Sequence, residues 1–201
     1  MKLKQLEGII SQLVQFQNPK IELEQYSTGA HIASRMLYMA DSSYDDISGK
    51  VVVDLGCGCG TLGVAASLLS ADHVIGMDID ADALDLAREN SLELEASIDL
   101  IQGNVASFRI EGVQVDTVVM NPPFGTRQKG ADMMFLSSAC QIANSTVYSL
   151  HKSSTREHVK RVALNNFGAK TADVLCQDCW CVYAIMYVHS RSLALLCMST
   201  P

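Results

Sequence analysis

Proline is scarce in this 201-residue chain, four against thirteen glycines, and aromatic residues make up only 6%. With 48% apolar and 18% charged residues, the composition excludes a collagenous, proline-rich or low-complexity chain and points to a folded domain. Basic residues are outnumbered by acidic ones, 15 to 22, giving a net charge of −7 and an isoelectric point near 5.1. A generally basic nucleic-acid coat is therefore excluded, and any polyanion has to be met by a local patch. No apolar run reaches the roughly 18 to 20 residues of a membrane helix, and the opening MKLKQLE lacks the apolar stretch of a secretory signal. The expectation is an intracellular protein with no membrane partner. Seven cysteines, an odd number without an even framework, fit reduced thiols better than disulfides. The length suits a single hydrophobic core and excludes two large domains.

What is present is alternation. Leu3, Leu6, Ile10, Leu13 and Val14 recur at helical spacing and predict a helix over 2–16, ended by Asn18 and Pro19. A second helix is predicted through Ile32, Met36, Leu37 and Ala40. Short β-branched or apolar runs follow at 50–55, 73–77, 98–102 and 115–120, with helical stretches at 62–69 and 82–94 between them. Beyond these the pattern predicts a helix at 131–143, a strand at 146–150, a helix at 155–165 and a weak strand at 171–176. This order predicts an α/β fold with a Rossmann-like, doubly wound parallel sheet, helices on both faces and ligands at the carboxyl ends of the strands.

The first predicted strand runs straight into Asp54-Leu55-Gly56-Cys57-Gly58-Cys59-Gly60. Glycines there let a backbone approach a ligand closely and aim amide groups and a helix N-terminus at it. The stretch from Gly58 to Gly63 also fits the dinucleotide pattern G-x-G-x-x-G, so a nicotinamide cofactor stays a distant alternative. Either class of nucleotide needs an acid ending the second strand to hold a ribose diol. Asp78 is that acid, while Asp80 and Asp82 suit the capping of the next helix. Asp54 favours S-adenosylmethionine, because a carboxylate just before the turn can order the loop and approach the methionyl ammonium, whereas a dinucleotide loop must leave room for a pyrophosphate.

Asn121-Pro122-Pro123-Phe124 follows the fourth strand at the same edge of the sheet. Two prolines stiffen the turn and fix one amide side chain and one free carbonyl in space. The Asn121 side-chain oxygen and the Pro122 carbonyl can each accept one hydrogen of a planar exocyclic amine, localising its lone pair in line with a methyl donor. Phe124 can stack on a flat base taken out of its helix. The same geometry serves a carboxamide nitrogen.

With these motifs the chain resembles the class I S-adenosylmethionine-dependent methyltransferases that carry an NPP[FY] motif, most closely their small-subunit ribosomal RNA adenine-N6 branch. The residues that carry the likeness are EQYST at 24–28, DLGCGCG at 54–60, DID at 78–80, NPPFGT at 121–126 and YSLHKSSTREH at 148–158, and it covers about residues 1–175. It implies transfer of a methyl group from S-adenosylmethionine to adenine N6 in structured RNA, with small-subunit ribosomal RNA as the substrate. Gln25 and Thr28 would help to close over the cofactor, Gly56, Gly58 and Cys59 would line its loop, Asp78 would hold its ribose, and Asn121, Pro122, Pro123 and Phe124 would hold the adenine. Asn104 stands where the family usually has an acid for the cofactor's adenine amine; its carbonyl can accept the same bond without charge assistance. The resemblance also implies a small zinc-ribbon activator protein as partner, and a location in nucleus, nucleolus and cytoplasm. Two rivals are a glutamine-amide methyltransferase acting on a release factor and a non-catalytic binding subunit of this fold.

Lys152 and Arg156, with Lys160 and Arg161, form the densest basic segment of an acidic chain, and Arg127 and Lys129 add charge beside the tetrapeptide. They are the expected RNA-binding rim. From residue 176 the chain departs from the family plan, so the expected division is a methyltransferase domain over 1–175, helical cover included, and a divergent, apolar, cysteine-rich tail over 176–201. The nine apolar residues 180–188 suit a substitute buried strand, giving an altered or incomplete C-terminal strand pair. The pair Cys176 and Cys179 has no second pair to complete a zinc site, so no metal is expected.

Overall fold

The computed structural model describes residues 1–175 without a break, and beyond them the backbone of Val182–Tyr187 and Leu196–Cys197. Four apolar runs become the parallel strands β1 (Val51–Leu55), β2 (His73–Asp78), β3 (Asp99–Gln102) and β4 (Val115–Met120), and a fifth is β5 (Ala143–His151). Val53 of β1 lies between Ile75 of β2 and Val118 of β4, which puts β1 at the middle of the order β3-β2-β1-β4-β5. Val52 and Val53 are both fully buried, because helices cover both faces of the sheet; this is why the run is continuous rather than alternating. The strand order reverses between β1 and β4, leaving a crevice at their carboxyl ends.

The helices are α1 (Leu3–Ile10), α2 (Ala30–Ser42), α3 (Thr61–Leu68), α4 (Ala81–Glu93), α5 (Ala131–Ile142) and α6 (Arg156–Asn166). Leu6 and Ile10 of α1 and Met36 and Leu37 of α2 enter the core with no accessible surface beyond 1%. The first helix is shorter than the periodicity predicts, and the cause is one buried side chain. Asn90 of α4 accepts the Val14 N–H at 2.9 Å and donates to the Val14 and Cys59 carbonyls. That bracket draws the chain off the helical path while Leu13 still reaches the core.

The C-terminal strand pair is present as backbone. β6 (Thr171–Leu175) and β7 (Val182–Tyr187) run antiparallel, and β7 inserts between β5 and β6, with Ile185 opposite both Tyr148 and Asp173. The substitute strand expected at 180–188 thus lies at Val182–Tyr187, followed by the two-residue β8 (Leu196–Cys197). Trp180 and the cysteines at 176, 179 and 181 lie outside the described residues. Among the described residues no helix is long and apolar enough to cross a membrane.

Candidate active site

The cofactor end is built by the turn after β1. Gly56 and Cys57 both donate backbone N–H to the Met77 carbonyl, at 2.8 and 2.9 Å, which pins the turn to the end of β2. Gly56, Gly58 and Gly60 have φ of +74°, +54° and +83°, a region that side chains rarely enter. At Gly56 the space is also taken: a Cβ there would lie 2.7 Å from the Phe135 ring. Asp78 accepts from the Gly58 N–H at 2.9 Å and the Asp80 N–H at 3.0 Å, so its carboxylate is aligned with the glycine turn. Burial pushes its pKa up against those two bonds.

Asp54 is 1% exposed and accepts from the Gly63 N–H at 2.7 Å, tying the end of β1 to the first turns of α3. Burial pushes its carboxyl up to about 7. It lines a small polar recess with Thr28, Cys59 and Thr61, next to the main cavity rather than in it. The Cys59 sulfur is 3.4 Å from both Gln15 Oε1 and Thr61 Oγ1, and burial pushes its thiol up as well. Cys59 is therefore a packed thiol rather than a nucleophile.

A cavity of about 380 Å³ runs from Asp78, Ile79, Asn104 and Val105, past Gly56, Gly58 and Phe135, to Asn121 and Pro123. That volume is within the usual span of small-molecule sites. A glycine turn that excludes side chains, a ribose-type acid at the far end and an apolar wall suit a nucleoside-bearing cofactor. Asn104 lines it, with its side-chain oxygen already accepting from the Ala106 N–H at 2.9 Å. A second lone pair is left for a ligand.

The acceptor end forms where β4 stops. Asn121 donates from Nδ2 to Thr28 Oγ1 at 2.9 Å, which turns its Oδ1 the other way. The Tyr26 hydroxyl donates to the Pro122 carbonyl and lies 3.4 Å from Asn121 Oδ1. Tyr26 also stacks on Phe124, with centroids 4.9 Å apart and an interplanar angle of 23°. Lys152, just past β5, sets its ammonium 5.2 Å from the Phe124 centroid.

Residues 20–28 form a strap between the two ends. Lys20 Nζ binds Asp80 at 2.6 Å and Asp82 at 2.7 Å, and Gln25 Nε2 donates to Asp80 at 2.7 Å. The bond to Asp80, then that to Asp82, raises the Lys20 pKa. At the other end Glu24 accepts from the Arg127 N–H at 2.7 Å and the Thr126 hydroxyl at 2.8 Å. Burial works against its charge, but these bonds outweigh it and hold its carboxyl low.

Of the residues singled out in the sequence, the structure gathers Gln25, Thr28, Asp54, Gly56, Gly58, Cys59, Asp78, Asn104 and Asn121 around the cavity and its adjoining recess. Gln25 is held by Asp80, and the partner Thr28 touches is Asn121. Asp80 caps α4, accepting from the Asp82 N–H. Arg127 and Lys129 stand exposed on the loop before α5, and Arg156 opens α6. Sequence reasoning missed Tyr26, Glu24, Lys20 and Phe135. Only the first two had a signal, their place within EQYST, and it did not reveal their partners about a hundred residues away. Among the described residues no cluster of His, Cys, Asp and Glu could hold a metal.

Residues 27–146 match the Methyltransferase small domain family. The rRNA N(6)-adenosine-methyltransferase METTL5 of Danio rerio is 51% identical over 81% of this chain and 80% of its own length. The rRNA N(6)-adenosine-methyltransferase Mettl5 of Drosophila melanogaster is 44% identical over 85% of this chain and 81% of its own length. A crystal structure of a putative RNA methyltransferase from Pyrococcus horikoshii superposes with a TM-score of 0.79 at 34% identity, covering 95% of this chain and 99% of that one.

Proposed function

The chain belongs to the rRNA N6-adenosine methyltransferase family, and from that premise we propose that it methylates adenine N6 in structured RNA, with small-subunit ribosomal RNA as the substrate. One observation carries the reading: a single hydroxyl, that of Tyr26, sits within reach of both Asn121 Oδ1 and the Pro122 carbonyl beside the Phe124 ring. Two acceptors that converge on one donor beside an aromatic face are what an exocyclic amine on a flat base requires.

S-adenosylmethionine supplies the electrophilic methyl carbon. Asp78 and the glycine turn would hold its nucleoside, and Asn104 would meet its adenine. At the acceptor end Thr28 keeps the Asn121 amide in the orientation that presents oxygen, so that Asn121 Oδ1 and Pro122 O each take one amine hydrogen. The lone pair is thereby freed from the ring and aimed by position, and preorganised dipoles of this kind are the largest single contribution in many enzymes. Phe124 stacks on the base. Lys152, over the Phe124 ring, would meet the phosphates of the flipped-out strand together with Arg127, Lys129 and Arg156.

The resemblance extends the proposal to a small zinc-ribbon activator protein and to a site of action in nucleolus, nucleus and cytoplasm, where small-subunit RNA is made and used. Support for a partner comes from β3, an edge strand in the described sheet, with Ile101 on it and Ile79 near it exposed. The test is nucleoside mass spectrometry of small-subunit RNA incubated with the full chain, the activator and isotope-labelled S-adenosylmethionine. Labelled N6-methyladenosine is expected. Label in a release-factor glutamine, or no transfer to RNA despite bound cofactor, would overturn the reading.

A further inference from the structure

We propose that Tyr26 is an internal stand-in for the target base: it occupies the acceptor subsite in the resting enzyme, and the incoming adenine has to exchange with it. The inference rests on the reading of that subsite given above. Its basis is coincidence of position. The Tyr26 hydroxyl donates to the Pro122 carbonyl and approaches Asn121 Oδ1 at 3.4 Å, while its ring lies on Phe124. Those are the three contacts assigned to adenine, so tyrosine and base cannot hold them together.

The exchange has a direction built into it. A phenol carries one hydrogen, and here its oxygen lies close to the Pro122 carbonyl and at the longer distance of 3.4 Å from Asn121 Oδ1, so it can serve only one of them well. An exocyclic amine carries two and satisfies both. A base with the amine therefore gains where Tyr26 is short, whereas a base presenting a carbonyl at that point sets acceptor against acceptor. Tyr26 thus covers both acceptors until the right donor arrives. The strap is held to α4 and to the loop after β4 by side-chain bonds of Lys20, Gln25 and Glu24 rather than by a strand ladder, so Tyr26 can leave without disrupting the sheet. Tyr26 is itself 37% exposed. The apparent dissociation constant for the base is the intrinsic one divided by the open fraction, as for any ligand that needs a minor conformer.

The test uses the full chain with its cofactor site saturated by S-adenosylhomocysteine, and adenosine and purine riboside, which lacks the amine, as probes in ligand-observed NMR titrations. Tyr26→Phe should tighten both probes by the same factor, about three- to tenfold, the equivalent of one neutral hydrogen bond removed from the competitor. Phe124→Ala should abolish adenosine binding. Amide hydrogen exchange in residues 20–28 of the wild type should rise when adenosine is added, a change that a purely structural tyrosine would not produce. Unchanged or weaker adenosine binding in Tyr26→Phe, with Phe124→Ala still inactive in binding, overturns the stand-in alone. Adenosine binding that survives Phe124→Ala overturns the subsite reading and the stand-in together.

Discussion

The two ends of the cavity are built in opposite ways. The frame of the cofactor end is local: β1, the glycine turn, α3 and the end of β2 follow one another within residues 51–78, and its bonds run mostly between backbone groups, Asp54 and Asp78, with Asn104 and Phe135 completing the wall. The acceptor end is assembled from afar. Asn121, Pro122 and Phe124 are met by Tyr26 and Thr28, which are more than ninety residues earlier in the chain. A local end is fixed by backbone conformation, whereas an end assembled from distant segments is fixed by side-chain contacts and can open. The first suits a cofactor that must be held in one pose, and the second a base that must enter from a large RNA.

The comparison predicts that damage at one end leaves the other working. The largest effect is expected for Asn121→Ala, which removes one amine acceptor: the turnover rate should fall by about 10² to 10³, as for loss of one preorganised group aimed at a transition state. Single-turnover methyl transfer measures it, and a loss smaller than tenfold would break the account of the acceptor end. Gly56→Ala strikes the cofactor end, where φ is +74° and a Cβ meets the Phe135 ring at 2.7 Å. Cofactor affinity should drop by more than about tenfold, with a stability loss of about 1–2 kcal/mol, and calorimetric titration together with thermal melting reads both. Asn104→Asp puts a charged acceptor on the cavity wall and, on the proposed role of Asn104, should tighten cofactor binding by about three- to tenfold. Equal dissociation constants would remove Asn104 from the site.

The smallest effect is on pH dependence. Burial holds the Asp54 carboxyl at about 7, well above the ordinary range near 4. Between those values the folded chain keeps a proton that the unfolded chain has released, so this contribution is complete below about pH 4 and is lost as pH rises through about 7. Without cofactor, the wild-type melting temperature should fall from pH 5 to pH 8 relative to Asp54→Asn, whose profile should be flatter. Parallel profiles would contradict the burial argument.

The same contrast explains how much was legible in the sequence. Buried strands written as Val-Val-Val or Val-Val-Met, and a glycine turn beside an acid, carry their structure within a short window, so the doubly wound sheet and the glycine turn of the cofactor end could be read directly. The bracket that Asn90 places on Val14, and with it the early end of α1, joins segments 76 residues apart. No periodicity announces such a bond. Tyr26 and Glu24 were visible within EQYST, but their partners were not, because what they touch is decided by the strap's path across the folded surface. The strand β7 was legible only as an apolar run, and its place between β5 and β6 came from the fold.

The most direct test of separable ends is titration of S-adenosylhomocysteine into Asn121→Ala beside Gly56→Ala and the wild type. The account predicts a dissociation constant for Asn121→Ala within about twofold of wild type, against a loss of more than about tenfold for Gly56→Ala. Equal losses in the two variants would contradict it, and would mean that cofactor and acceptor ends form one cooperative unit.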